Sequence, residues 1–497
     1  MHADPETLRT EAAAALAALE GRTLGPRDRL AIPPQEMPTQ DPAVRVGNMD
    51  EVALGYSAEQ ARLEAMRCLG CKNAPCVAGC PVGIDIPRFL KLAAEGDFAG
   101  SLAVVRESSL LPAVCGRVCP QEVQCQAPCT VGKSLKSVDK AVSIGRVERY
   151  VADRERADGV KAAPVVAPET GRKVAVIGSG PASVSAAADL RKAGHAVTVF
   201  EAFHRPGGVL MYGIPEFRLP KAIVNDELAG LVAMGVDIQP NVLVGRTRKL
   251  EDILAVDGYD AAFIGSGAGL PVFMNVPGEN FVGVFSANEY LTRSNLMKAY
   301  AKGVAATPIY EAATVAVLGG GNVAMDSART ALRLGAKKVY VVYRRTRVEM
   351  PARVEEVAHA MEEGVEFRFL ENASRFLGDE KGRVVAMETV RYELGEPDAS
   401  GRRRPVLIPG SESTLPVDAV IVAIGNSSSP LIPQTTPGLK TDDHGRILVD
   451  EHGMTSIPGV YAGGDIVLGA ATVILAMGEG RRAAASINKR LSAPGGA

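Results

Sequence analysis

The stretch KVAVIGSGPASVSAAADLRKAGHAVTVFEA, residues 173–202, predicts the fold of the larger part of the chain. It begins as an apolar strand, passes through a glycine-rich turn into a helix and ends as a second apolar strand. The stretch TVAVLGGGNVAMDSARTALRLGAKKVYVVYRR, residues 314–345, has the same plan. Each copy is followed by a further apolar strand that ends in glycine, at residues 260–269 and 418–428. Two such βαβ units in one chain predict two bound dinucleotides.

The first glycine-rich turn follows residues 173–177 and opens the helix. Gly178 permits the tight turn, and Gly180 lets the backbone approach a pyrophosphate at the helix N-terminus. Glu201 ends the second strand, where a carboxylate can bind the two ribose hydroxyls. Ser183 at the third small position weakens the match, whereas a simple packing turn would leave Glu201 unexplained. The residues predicted to bind a dinucleotide here are Gly178, Gly180, Pro181, Ala182 and Glu201.

The second turn, in residues 319–324, is followed by a strand that ends in two arginines instead of an acid. A guanidinium at this place can pair with the 2′-phosphate of NADP, which a carboxylate would repel. NADP(H) is therefore favoured over NAD(H), and the alternative is a solvated arginine pair at a strand end. The residues predicted to bind it are Gly320, Gly321, Asn322, Val323, Arg344 and Arg345.

The C-terminal stretch, residues 459–491, has neither repeat pattern and predicts a strand, a Gly-Asp turn and a long helix. The Asp465 carboxylate can accept a hydrogen bond from a flavin ribityl hydroxyl, and the helix N-terminus can face the flavin carbonyls. The alternative is an ordinary N-cap aspartate, which the glycines nearby disfavour. The residues predicted here are Gly464, Asp465, Thr472 and Val473.

All eight cysteines lie between residues 68 and 129, in two groups of four. The first group is C-x2-C-x4-C-x3-C-P and the second is C-x3-C-x5-C-x3-C. Short spacings let one loop supply several thiolates to a cubane 4Fe–4S cluster, and a final Cys-Pro pair such as Cys80-Pro81 is typical of a ligand to the other cluster. The alternative is two zinc sites, but zinc prefers paired C-x2-C knuckles and only one occurs here.

The composition of the chain argues against some classes of function. The chain has 497 residues, a formal net charge of −2 and no apolar run long enough for a membrane helix. Nucleic-acid binding and general attraction to anionic membranes are therefore not expected. The N-terminus lacks the order of a signal peptide, so we expect a cytoplasmic protein in which clustered cysteines bind metal and do not form disulfides.

We predict an α/β chain with a helical N-terminal domain that holds two 4Fe–4S clusters, followed by two Rossmann-like domains of which the second is inserted into the first. The predicted segments are an N-terminal extension (1–48), the iron–sulfur domain (49–170), the first part of an FAD-binding domain (171–294), an NADP(H)-binding domain (295–430) and the second part of the FAD-binding domain (431–497). A linker rich in Pro and Ala, residues 157–171, marks one boundary.

These motifs together resemble the small (β) subunit of NADPH-dependent glutamate synthase and its relatives. The relatives include the large subunit of NADH-dependent reduced ferredoxin:NADP oxidoreductase, the homotetrameric glutamate synthase-like proteins, the flavoprotein subunit of sulfide dehydrogenase and the N-terminal half of dihydropyrimidine dehydrogenase. The resemblance extends from about residue 37 to the C-terminus. Its most specific stretches are CLGCKNAPCVAGCPVGIDIP (68–87), YGIPEFRLPK (212–221), GGGNVAMDSARTALRLGA (319–336), YRRTRVEMPARVEEVAHAMEEGVEF (343–367) and AGGDIVLGAATVILAMGEGRRAA (462–484).

The resemblance implies FAD, NADP(H) and two 4Fe–4S clusters. It implies that Cys68, Cys71, Cys76 and Cys129 bind one cluster, and that Cys80, Cys119, Cys125 and the Glu148 carboxylate bind the other. Cys115 would then be a bystander, and the alternative for Glu148 is a helix-surface acid. It also adds Gly208, Leu210 and Arg218, in and beside the YGIPEFRLPK stretch, to the cofactor-binding residues.

The expected activity is NADP(H)-dependent oxidoreduction, because a flavin can link two-electron hydride chemistry to one-electron clusters. We expect no protein general acid or base in hydride transfer. The expected partner is an electron-accepting subunit, either a glutamate synthase large subunit or a ferredoxin–NAD reductase-like subunit, or else a ferredoxin; a homo-oligomer is left open. Two alternatives remain: electron bifurcation at the FAD, and a structural adaptor with degenerate cofactor folds.

Overall fold

The computed structural model describes residues 4–159, 165–301, 303–398 and 401–493. Residues 160–164 of the predicted linker lie outside the described residues. The α-helices, in chain order, are α1 (Pro5–Leu19), α2 (Pro26–Ala31), α3 (Pro42–Arg45), α4 (Ala58–Met66), α5 (Pro75–Ala78), α6 (Ile86–Glu95), α7 (Phe98–Arg106), α8 (Pro112–Val118), α9 (Thr130–Ser134), α10 (Ile144–Asp158), α11 (Pro181–Lys192), α12 (Val209–Tyr212), α13 (Lys221–Ala233), α14 (Leu250–Ala255), α15 (Ala287–Asn295), α16 (Asn322–Arg333), α17 (Val354–Glu362), α18 (Leu431–Thr435), α19 (Asp465–Leu468) and α20 (Val473–Leu491).

Short 3-10 helices occur at Gln121–Val123, Val138–Lys140 and Arg347–Glu349. The strands, in chain order, are β1 (Lys173–Ile177), β2 (Ala196–Phe200), β3 (Asp237–Gln239), β4 (Ala261–Ile264), β5 (Leu270–Pro271), β6 (Val284–Ser286), β7 (Thr314–Leu318), β8 (Lys338–Tyr343), β9 (Glu366–Phe369), β10 (Glu371–Gly378), β11 (Val384–Pro397), β12 (Arg403–Leu407), β13 (Ser413–Pro416), β14 (Ala419–Val422), β15 (Asn426–Ser427) and β16 (Val460–Ala462).

The first sheet has five parallel strands in the order β16–β4–β1–β2–β3. Its central strands are buried on both faces, which explains their continuous apolar sequence. The edge strand β16 comes from the C-terminal part of the chain, after the second sheet is complete. The interrupted first unit, predicted from the sequence, is therefore present in the strand order.

The second sheet has the order β6–β14–β7–β8–β9, again all parallel. One of its strands, Val284–Ser286, lies before residue 295, the predicted start of the NADP(H)-binding domain. The domain boundaries stay a prediction. The antiparallel strands β10–β13 form an additional sheet that was not predicted from the sequence. A two-stranded ribbon, β5 with β15, links the two parallel units.

The helical N-terminal domain and the first parallel unit share one hydrophobic core. Helix α8 packs closely on α10, because Gly116 has no Cβ: an added Cβ would lie 2.7 Å from the Cα of Arg149. Helix α20 crosses α11 equally closely, since a Cβ on Gly480 would lie 2.0 Å from the carbonyl oxygen of Ala182. The first of these contacts lies within the helical domain, and the second lies within the first parallel unit. The predicted α/β fold class is confirmed.

Candidate functional site

The eight cysteines surround two separate cavities in the helical domain. The first cavity is lined by Cys68, Cys71, Cys76 and Cys129, together with apolar side chains such as Ile86. Thr130 lies beside it, with its hydroxyl 3.3 Å from the sulfur of Cys71. All four thiols of this cavity belong to the set predicted for one cluster.

The second cavity is lined by Cys80, Cys115, Cys119, Cys125 and Glu148. The two cavities are similar in size. Glu148 lies on α10 and is 6% exposed, so it is not the helix-surface acid of the alternative interpretation. Its Oε1 is buried and has no hydrogen-bond partner within the described residues.

The chemistry of these donors fits iron–sulfur clusters. All eight cysteines are free, and burial raises the pKa of Cys76 to about 12 and that of Glu148 to about 8. Buried thiols and a buried carboxyl without a cation are neutral, whereas a bound metal centre favours the thiolate and carboxylate. Among the described residues, no three His, Cys, Asp or Glu side chains could hold a single metal ion. Donors that surround a cavity suit a cofactor of several metal atoms.

The first glycine-rich turn connects β1 to α11. Gly178 has a φ of +90°, and a Cβ there would lie 2.7 Å from the Gly265 carbonyl oxygen. Gly180 has open space at its Cβ position, which leaves room for a ligand to approach the backbone. Glu201 accepts hydrogen bonds from the backbone and the hydroxyl of Ser179 and, at 2.7 Å, from the backbone of Phe203. Ser179 was not among the residues predicted to bind the dinucleotide, although it stands between the two fingerprint glycines.

The start of α20, which includes the predicted flavin residues Thr472 and Val473, lies beside the second cysteine cavity. Asp465 is the first residue of α19, and burial raises its pKa to about 6. Thr472 caps α20 and accepts a 3.1 Å hydrogen bond from the side-chain amide of Gln124. Ile474, in the first turn of α20, lines the cavity of Cys119 and Glu148. The same end of α20 also lies near the Gly464–Asp465 turn, because a Cβ on Gly464 would lie 3.5 Å from the Cβ of Ala476.

The second glycine-rich turn connects β7 to α16. A Cβ on Gly319 would lie 2.3 Å from the Ala423 carbonyl oxygen, and one on Gly320 would lie 2.7 Å from the ring of Tyr343. Gly321 precedes α16 directly, and Asn322 accepts a 2.9 Å hydrogen bond from the backbone of Arg353. Val323, the next residue, is 39% exposed.

The two predicted arginines after β8 have different surroundings. Arg344 is exposed. Arg345 is buried and donates to the Asp398 carboxylate at 3.0 Å and to the Arg403 carbonyl at 2.8 Å. The antiparallel sheet thus engages one arginine and leaves the other open to solvent.

Three further predicted residues, Gly208, Leu210 and Arg218, lie in the segment after β2. A Cβ on Gly208 would lie 2.8 Å from the Cα of Gly180, so this segment lies directly against the first turn. Leu210 is buried in α12. Arg218 forms an ion pair with Asp326 of α16, at 2.8 Å.

Comparison with known proteins identifies the family. A family model described as "Pyridine nucleotide-disulphide oxidoreductase" matches residues 172–480, and one described as "Dihydroprymidine dehydrogenase domain II, 4Fe-4S cluster" matches residues 45–160. The "Glutamate synthase [NADPH] small chain" of Halomonas elongata is 38% identical over 90% of this chain and 95% of its own length. The chain belongs to the glutamate synthase small-chain family.

Other relatives of this small-chain-like protein have different names. The "NADP(+)-dependent formate dehydrogenase subunit beta" of Moorella thermoacetica is 40% identical over 84% of this chain, and the chain spans 60% of that relative's length. The structure of "Mycobacterium tuberculosis FprA in complex with NADPH" shares the fold, with a TM-score of 0.54 and 22% identity over 65% of this chain and 84% of that one.

The family membership confirms the predicted oxidoreductase class and the predicted cofactors of the glutamate synthase small-chain type: FAD, NADP(H) and 4Fe–4S clusters. Several relatives are named as subunits, in agreement with a protein that works with a partner. In the part of the chain that the structure describes, no helix has the length and apolar character needed to cross a membrane. The individual binding residues stay predictions.

Proposed function

We propose that this chain takes electrons from NADPH and delivers them singly to a partner subunit or a ferredoxin. The observation that carries this proposal is the contact between the second cysteine cavity and the N-terminal end of α20, made by Gln124, Thr472 and Ile474. An FAD supplies the exchange between two-electron and one-electron chemistry. The same helix end faces the turn that we assign to the flavin, so the two cofactors would be neighbours.

The FAD would be held by the first parallel unit. The Gly178–Gly180 turn gives room for the pyrophosphate at the N-terminus of α11, and Glu201 supplies the carboxylate for the ribose. Gly464, Asp465, Thr472 and Val473 would hold the ribityl chain and flavin ring. Gly208 and Leu210 would close the site from the side of α12, which lies against Gly180.

NADP(H) would be held by the second parallel unit, through Gly320, Gly321, Asn322 and Val323 at the start of α16. The exposed Arg344 is the guanidinium available for the 2′-phosphate. Arg345, the next residue in the chain, adds positive charge nearby, while its side chain stays bound to Asp398.

The cluster ligands would be those predicted above. Cys68, Cys71, Cys76 and Cys129 would hold the cluster of the first cavity. Cys80, Cys119, Cys125 and Glu148 would hold that of the second, where the unpartnered Oε1 of Glu148 supports a ligand role. This assignment gives the second cluster a carboxylate ligand and therefore a different potential from the first.

The order of the two cavities supports electron exit at the first one. The second cavity adjoins α20, whereas Cys71 in the first cavity is partly exposed and also lines a surface groove with Lys72, Asn73 and Asp85. A partner that covers this groove would approach the first cluster. We propose a glutamate synthase large subunit, a ferredoxin–NAD reductase-like subunit or a ferredoxin as this partner.

The test is an anaerobic titration of the reconstituted holoprotein with NADPH, followed by flavin absorbance and by electron paramagnetic resonance of the reduced clusters. We expect flavin bleaching by NADPH but much less by NADH, followed by cluster signals. The Cys119→Ser variant should still bleach its flavin yet reduce a ferredoxin more slowly. If NADPH fails to bleach the flavin of the fully loaded protein, the proposed function is wrong.

A further inference from the structure

We propose that Arg218 is a positioning residue that fixes the NADP(H)-binding unit against the FAD-binding unit. This inference rests on the proposed function and assigns Arg218 a role in place of the cofactor contact implied by the family resemblance. The side chain acts through Asp326 and Glu356 of the second unit.

The contact is a buried ion-pair cluster between the two units. One terminal nitrogen of Arg218 lies 2.8 Å from each Asp326 carboxylate oxygen, and its Nε lies 3.1 Å from Glu356. The three side chains are 6%, 4% and 7% exposed. Removing one partner from such a cluster leaves a buried charge uncompensated, so the pairing strongly favours a single relative placement of the units.

Phe217, the residue before Arg218, also packs against side chains of the second unit. Phe217 is 1% exposed, and the guanidinium groups of Arg329 and Arg333 lie 4.8 and 4.0 Å from its ring centroid. Both arginines also bind Glu363 at the end of α17. The Phe217–Arg218 pair is therefore inserted between α16 and α17, and cation–π contacts add to the ion pairs.

The other end of this segment is anchored to the first unit. The buried ammonium of Lys221 donates to the carbonyl oxygens of Leu210 and Leu219, both at 3.0 Å, and to that of Ile214. These bonds tie the segment to α12, whose preceding residue Gly208 lies against Gly180 of the first turn. Lys221 thus fixes the segment on the flavin side, as Arg218 does on the nucleotide side.

Helix α16 connects the second glycine-rich turn to the ion pair with Arg218. It begins at Asn322, directly after the second glycine-rich turn, and Asp326 lies one helical turn further along the same face. A rigid helix end therefore links the nucleotide-binding turn to Arg218 and, through the segment, to the first turn. Hydride transfer depends on the distance and angle between the two rings, so a displacement of about 1 Å lowers its rate about 100-fold.

The experiment uses the fully loaded protein and the Arg218→Ala, Arg218→Lys, Asp326→Ala and Arg218→Ala/Asp326→Ala variants. The readouts are FAD content, the dissociation constant of NADP+, the charge-transfer absorbance between flavin and bound nucleotide, and the rate of flavin reduction by NADPH in rapid mixing. Arg172→Ala is the matched control, because Arg172 pairs with Asp260 at 2.8 Å and both residues lie in the first unit.

We expect Arg218→Ala to keep its FAD and its NADP+ affinity, to lose the charge-transfer band and to reduce flavin about 10- to 100-fold more slowly. Arg218→Lys should recover part of the rate, and the double variant should be no slower than either single one. The control should match the unmodified protein in the band and in the rate.

Loss of FAD or of NADP+ affinity in Arg218→Ala or Arg218→Lys, with an unchanged band per bound FAD at saturating NADP+, would overturn the inference and make Arg218 a cofactor contact. A band and a rate in Arg218→Lys and Asp326→Ala equal to those of the control would also overturn it. Failure of the proposed function itself is distinguishable, because NADPH would then not reduce the flavin of the unmodified protein.

Discussion

The sulfur of Cys115 lies 3.5 Å from the sulfur of Met477, across the interface between α8 and α20. Cys115 is 1% exposed and Met477 is fully buried, so the two sulfurs pack against each other. Cys115 therefore contributes to packing between the helical domain and the first sheet, in agreement with the bystander role that we propose.

Cys115→Ser and Cys119→Ser should have different effects on iron content, although both side chains line the second cavity. Cys115→Ser should keep both clusters, because a serine fills nearly the same space beside Met477. Cys119→Ser should lose one cluster, about half of the iron and sulfide. The measurement is iron and sulfide per FAD after anaerobic purification, and equal losses in both variants would contradict the ligand assignment.

Arg344→Ala should weaken NADPH binding without changing that of NADH. A charge-assisted hydrogen bond to phosphate contributes about 1.5–3 kcal/mol, so the KM for NADPH should rise about 10- to 100-fold. Steady-state reduction of an artificial acceptor with each nucleotide measures this ratio. The comparison variant is Asp398→Asn, which releases Arg345 from its ion pair but leaves Arg344 in place; it should change the ratio far less, and a larger effect than that of Arg344→Ala would refute the assignment.

The contact between the two units should weaken as the pH falls through about 6. Burial raises the pKa of Asp326 to about 6, while Arg218 and Arg329 oppose the rise, Glu356 adds to it and Lys221 faces the same carboxylate. Protonation removes the ion pair with Arg218, so the charge-transfer band should diminish between about pH 7.5 and pH 5.5.

Unfolding would not explain that change. A carboxyl group with a raised folded-state pKa binds its proton more tightly in the folded chain, so this group adds stability as the pH falls from about 6 toward its ordinary value. The melting temperature and the band should therefore respond differently. The Asp326→Asn variant should show a weak band with no pH dependence over this range, whereas a midpoint retained in that variant would assign the titration to another group.

Gly480→Ala should reduce stability and FAD retention. An added Cβ would lie 2.0 Å from the Ala182 carbonyl oxygen, so α20 must move away from α11 at a cost of about 1–3 kcal/mol. Gly230→Ala is the matched control, since it lies within α13 with no atom near its Cβ position and should stabilise the chain by about 0.5–1 kcal/mol. Melting temperature and FAD content of the two variants measure the difference, and similar melting temperatures would show that α20 can shift freely.

The sequence predicts the parallel units well because their signals are local. A buried strand, a glycine turn and a helix occupy about thirty consecutive residues, and the pattern of β1 and α11 can be recognised without any other part of the chain. The same applies to the cysteine groups, whose spacing indicates clusters. The antiparallel strands β10–β13 carry no such motif, and their role in binding Arg345 was not predictable.

Arg218 and Gln124 show where sequence analysis of this chain reaches its limit. Arg218 is 108 positions from Asp326, and Gln124 is 348 positions from Thr472. Contacts of this kind depend on how the folded units meet, and a single sequence contains no periodicity that reports it. Gln124 had one local signal, its position directly before Cys125.

The edge position of β16 has a consequence for the biosynthesis of the protein. The ribosome completes every strand of the second sheet before it reaches residues 460–491, which supply β16 and α20 to the first sheet. Domains generally fold in the order in which they are synthesised. The inserted unit can therefore fold on the nascent chain, while the first sheet still lacks its edge strand β16. Insertion of the flavin is then a late step of assembly, after the interrupted unit has been closed.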